Sequence, residues 1–200
     1  MSNEQTWTGR PVEETKINYQ DINSSILPKF SREPFTNPAG FPPHIANPHL
    51  DAIVNETNGI PVATVSKTYS LIQHQTAIDV TLETLASMGY SHHNAACELT
   101  QTNLGERMWL RIRFPQFTFD PGDGKIMNLE LSLFNSVDGS MTFGFKAGWY
   151  RLVCANGMTQ LDRGKRMNRR HTASLTPEFL SEQLEEHIQE TLSEREIYRQ

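Results

Sequence analysis

Cysteine is nearly missing from this chain. Two in 200 residues, Cys97 and Cys154, lie too far apart to suggest a disulfide framework. They fall in no CxxC or Cys/His spacing, so they read as small packed residues. Long apolar runs are missing too. None approaches the roughly 18 residues that a membrane span requires. Met1–Trp7 holds no basic stretch leading into an apolar run, so the expected compartment is the cytoplasm. The glycine patterns that cradle phosphates or dinucleotides do not occur, nor do HExxH or GxSxG. The seven histidines (His44, His49, His74, His92, His93, His171 and His187) show no metal-ligand spacing. Asp120-Pro-Gly-Asp-Gly-Lys lacks the rest of a calcium loop, including its closing glutamate. No cofactor or metal is therefore expected. A catalytic reading has little to rest on. Arg151 would favour a Cys154 thiolate but cannot act as its base, which leaves His171 as the nearest candidate.

The composition is that of a globular protein with a polar tilt, 37% apolar and 20% charged, with a formal net charge of −5. That charge is unevenly spread. Residues 1–145 carry −6, residues 146–172 carry +6, and residues 173–200 carry −5. A basic segment thus lies between two acidic ones.

Seven of the eleven prolines come before residue 50, which predicts an extended arm over residues 1–58 with little regular structure. Residues 59–172 read as an α+β core. Ile60–Val65 is strand-like, and Gln73–Met88 has helical spacing with Gly89 where a terminating glycine belongs. In Arg107–Phe114, Arg107, Trp109, Arg111 and Arg113 share one face, with Met108, Leu110, Ile112 and Phe114 on the other. Met127–Asn135 alternates likewise, and Asp138-Gly139 is a hairpin signal before a return strand over Ser140–Cys154, breakable at Gly148. Residues 173–200 read as an acidic amphipathic helix, with Thr176 as cap, Pro177 next, and a stripe of Leu180, Leu184, Ile188 and Leu192. Clustered strands with flanking helices predict a mainly antiparallel meander.

Five blocks then occur in a familiar order. They are Tyr69-Ser-Leu-Ile-Gln-His-Gln-Thr-Ala, Cys97 through Trp109, Leu133-Phe-Asn-Ser-Val-Asp-Gly-Ser, Arg151-Leu-Val-Cys-Ala-Asn-Gly, and Arg170-His-Thr. Together, over roughly residues 60–172, they resemble the phage/plasmid-like family called domain of unknown function 932. The resemblance marks Asn135, Asp138, Gly139, Arg151, Cys154 and Asn156 as signature residues. It implies a mobile-element context rather than a mechanism. One position departs: Val137 stands where the family usually shows histidine.

The basic tract carries the functional expectation. Residues 163–171 hold five formal positive charges and no acid. Arg163, Lys165, Arg166, Arg169, Arg170 and His171, joined by Arg151 and by Trp149 as a stacking ring, predict binding of nucleic acid, single-stranded in particular. Tyr150, Arg111 and Arg113 extend the same reading. By fold-level analogy such a protein suits strand binding or annealing. The alternative is a self-assembling or partner-binding protein without catalysis, in which the acidic terminal helix meets the basic tract or another copy of the chain. A homo-oligomer and no membrane contact are expected.

Overall fold

Alternation and helical periodicity together build two antiparallel sheets and two helices. The computed structural model describes residues 6–7, 10–18, 27–37, 39–40, 44–90, 95–152 and 159–197. The strands are β1 (Thr6–Trp7), β2 (Arg10–Asn18), β3 (Phe30–Thr36), β4 (Ala46–Asn55), β5 (Pro61–Ser66), β6 (Ala96–Thr102), β7 (Arg107–Phe119), β8 (Met127–Ser136), β9 (Phe143–Leu152) and β10 (Thr159–Arg169). The helices are α1 (His74–Ser87) and α2 (Pro177–Ile197). The larger sheet runs β1-β2-β6-β7-β8-β9-β10 and the smaller β3-β4-β5, with antiparallel neighbours throughout. This is the expected α+β architecture. No described helix is long and apolar enough to cross a membrane.

The period-2 pattern decides which face of the large sheet is covered. Met108, Leu110, Ile112 and Phe114 on β7, Leu129, Leu131 and Leu133 on β8, and Phe143, Phe145 and Trp149 on β9 are all buried. Beneath the helices they form one core with Ile78 and Leu85 of α1 and with Leu180, Leu184 and Ile188 of α2. Full burial of each such side chain contributes about 1.5–3 kcal/mol. α1 ends as its sequence predicts, with Gly89 at φ 77. At the start of α2 the Phe179 N–H donates to Thr176 Oγ1 at 3.3 Å.

Three segments differ from expectation. The described parts of the proline-rich region form strands rather than an irregular arm, and two of its prolines sit where a sheet tolerates them. Pro34 lies on edge strand β3 beside a register shift, and Pro48 falls in the stretch of β4 that has no register partner. The return strand β9 is not broken at Gly148, which pairs with Glu130 on one side and Gly164 on the other. The basic tract, for which the sequence predicts no regular element, is β10, paired with β9 along its length.

The two sheets meet at a joint. Phe30, Ile53, Val65 and Val137 pack there, and the Gln73 amide makes two bonds to the Phe30 backbone, of 3.1 and 2.7 Å.

Candidate nucleic-acid interface

Among the described residues no helix packs on the other face of the large sheet, although Glu130, Ser132 and Phe134 at its centre are buried among their neighbours. Glu98 and Thr100 of β6, Trp109, Arg111 and Arg113 of β7, Glu130, Ser132 and Phe134 of β8, Lys146 and Tyr150 of β9, and Arg166 and Asn168 of β10 share it by alternation. The arginine face expected for β7 is thus present, but most of its charge is neutralised. Arg111 pairs with Glu98 at 2.9 Å and with Glu130 at 3.2 Å; Arg113 pairs with Glu130 at 2.8 Å and with Glu98 at 3.3 Å. Burial pushes the Glu130 carboxyl up, against the pull of the two guanidinium groups.

The β9–β10 half of the face is different. Lys146 and Arg166 are register partners on adjacent strands. Among the described residues, no carboxylate lies within ion-pair distance of either. Burial and the neighbouring Arg166 charge lower the Lys146 pKa. The Lys146 ammonium sits 5.1 Å from the Phe134 ring centroid, and Phe134 lies 5.3 Å from Trp109. A recess of about 250 Å³ opens between Trp109, Phe134, Lys146 and Arg166. Gly144 lies between Phe134 and Asn168 in the ladder: a Cβ there would meet Asn168 Oδ1 at 3.0 Å and Phe134 Cδ2 at 3.1 Å. Two adjacent cations with no carboxylate partner among the described residues, beside a half-buried indole, have the chemistry that suits an anion carrying flat apolar surface.

Strand alternation splits the basic tract between two tasks. Met167 points into the core, and Lys165 and Arg169 flank it on the α2 side. Lys165 pairs with Glu190 of α2 at 3.5 Å. Arg169 bonds Gln183 at 3.1 Å and lies 5.5 Å from the Phe179 ring centroid. Among the described side chains of β10, Arg166 is the cation that reaches the open face, beside Lys146, a pairing the sequence does not predict. Arg170 follows the strand and is exposed. Arg163 is described in its backbone alone, opposite Trp149. Arg151 shares the face of Trp149, with Asp123 as ion-pair partner.

Two of the expected binding residues are displaced by burial. Trp149 is 0% exposed, its indole N–H bonded to the Thr191 carbonyl at 2.9 Å, so it offers no ring to a base. His171 is 6% exposed and belongs to the joint rather than to a basic surface.

Four of the five family blocks converge on that joint. His74 is wholly buried, with Nε2–H donating to the Gly105 carbonyl at 2.7 Å. Its Nδ1 accepts from the Asn135 amide at 2.9 Å, and that amide also donates to the Ile72 carbonyl at 2.8 Å. Burial lowers the His74 pKa to about 4, so the ring is neutral. His171 stacks on Tyr69 with centroids 5.0 Å apart, and its Nδ1–H donates to the Ser70 carbonyl at 3.2 Å. Asp138, in the β8–β9 turn, pairs with Arg107 at 3.3 Å while its carboxylate caps the Ser140 N–H at 3.0 Å. Gly139 supplies the φ of 70 that the turn needs. Asn135 thus ties β8 to the start of α1, while Asp138 and Gly139 shape the β8–β9 turn and tie it to β7. Cys154 and Asn156 lie outside the described residues. Burial pushes the Cys97 thiol up to about 12, the setting of a packing residue.

Two antiparallel sheets and two helices, with polar signature residues packed where the sheets approach, define an α+β domain. The chain belongs to the family described as Domain of unknown function (DUF932), matched over residues 61–195. The match takes in α2, which the resemblance had left out, so the terminal helix is part of the family's unit. No curated protein and no solved structure matches the chain.

Proposed function

We propose that this protein binds single-stranded nucleic acid across the open face of its large sheet, as an accessory factor of a phage or plasmid engaged in strand binding or annealing. The carrying observation is the Lys146–Arg166 pair, which has no carboxylate partner among the described residues and lies beside Trp109. A phosphate group resolves the repulsion between the two cations, and its condensed counter-ions are released. The half-buried indole gives an unpaired base a surface that a duplex would not present. A flat, sequence-tolerant contact of this kind favours single strands. The reaction requires no nucleophile, and the cytoplasm of a host cell suits it.

The second reading is a partner-binding or self-assembling protein without catalysis. It draws on the exposed edge strand β10 and the acidic face of α2. The Lys165–Glu190 pair within one chain already uses part of the charge complementarity that reading needs, which favours the nucleic-acid reading.

Fluorescence anisotropy with a labelled single-stranded oligonucleotide tests the proposal. Wild-type protein binds at low salt, and K146E/R166E does not. Equal binding by both proteins, or by neither, overturns it.

A further inference from the structure

The β8–β9 turn has a recess on each side. Met141 and Thr142 border the Lys146–Arg166 recess, and the same two residues border a second one of about 370 Å³. Tyr69, Ser140, Arg170 and His171 form the rest of its wall with several further hydroxyl side chains. No aspartate or glutamate lines it. Asp138, in the same turn, is buried and engaged by Arg107. Burial lowers the His171 pKa and keeps the imidazole uncharged, with its Nδ1 committed to Ser70. Arg170 is therefore the one charge on the wall. It is exposed, and among the described residues no carboxylate lies within ion-pair distance of it. A lone guanidinium fork with no competing carboxylate on the wall suits a phosphate, which it can hold through two parallel N–H bonds.

Arg170 follows Arg166 by four residues, a rise of about 13 Å in extended chain. Asn168 lies between them on the open face. From this placement we infer that the second recess is a further phosphate subsite, reached from the Lys146–Arg166 site across Met141 and Thr142. The inference rests on the proposed function and adds a direction to it: the bound strand crosses the sheet near β9 and β10 and leaves past the β8–β9 turn. The phosphate is either a diester within the strand or a monoester at its end.

The test uses the full chain, with anisotropy titrations against single-stranded DNA 20-mers over a series of salt concentrations. The 20-mers carry a 5′-phosphate, a 3′-phosphate or neither. R170A is expected to weaken binding and to reduce the salt slope by about 0.7, the value for one phosphate on a single strand. Its melting temperature stays at the wild-type value, because Arg170 is exposed. R170K is expected to recover most of the slope but less of the affinity, since it keeps the charge and loses the fork. A loss equal on all three oligonucleotides assigns the subsite to an internal diester, and a loss confined to one phosphorylated end assigns it to a monoester. If R170A matches wild type while K146A/R166A loses binding, the subsite is refuted and the proposed function stands. If neither variant changes binding, both fall.

Discussion

His74 should make this protein lose stability in mild acid. In the unfolded chain the imidazole takes up a proton below its ordinary pKa of 6.5; in the folded protein burial holds it neutral until about pH 4. Between those values the unfolded state binds more protons, so stability falls as pH falls, and above 6.5 the group contributes no pH dependence. The window is worth about 3 kcal/mol at its lower end, a large share of the roughly 5–15 kcal/mol of a typical domain. Geometry gives the reason. A proton on Nδ1 would face the Asn135 amide, which already donates there and to Ile72. Turning the amide to offer its oxygen would strip Ile72 of its bond. His171 is lowered in the same direction and adds to the effect. Urea unfolding followed by tryptophan fluorescence at pH 7.5, 6.5, 5.5 and 4.5 measures it, with H74N as the comparison. The variant should be less stable at pH 7.5, having lost a buried bond, but its stability should change less between 6.5 and 4.5. A wild-type profile as flat as that of H74N, or an imidazole resonance titrating near 6.5 in the folded protein, would refute the reasoning.

Two further perturbations separate the open face from the core. G144A introduces a methyl between Asn168 and Phe134. It should lower stability by about 1–3 kcal/mol, as overpacking does, read from thermal melting. E130Q removes the carboxylate shared by Arg111 and Arg113. It should lower the melting temperature while tightening single-stranded DNA binding in anisotropy, because net positive charge on the open face rises; weaker binding would show that the open face is not the contact surface.

Much of the fold was legible because alternation is a local signal. The two faces of β7 and β8 followed from residues 107–114 and 127–135, and α1 and α2 from their spacing and terminal residues. The N-terminal strands were not legible, since proline content says nothing about whether a strand lies at a sheet edge. The site was half legible. Local charge density pointed to residues 163–171, but without the strand pattern the tract's charges counted as one surface. As strand β10 it presents Lys165 and Arg169 to α2 and Arg166 to the open face. Lys146 was missed because its partner is 20 residues away, across a ladder that no local pattern specifies. The cue was present in the register: Lys146 shares the parity of Gly144 and Gly148, opposite the core set Phe143, Phe145 and Trp149. Trp149 was misplaced for the same reason, its parity being that of the core.

The most direct test of the central claim is the salt dependence of single-stranded DNA binding in two double variants that remove equal charge from the same strand pair or its neighbour. K146A/R166A should reduce the slope of log affinity against log salt by about 1.4, two phosphates at about 0.7 each, while K165A/R169A, whose side chains lie against α2, should leave the slope at the wild-type value. Equal reductions in the two variants would show that total charge rather than the open face governs binding, and would contradict the account.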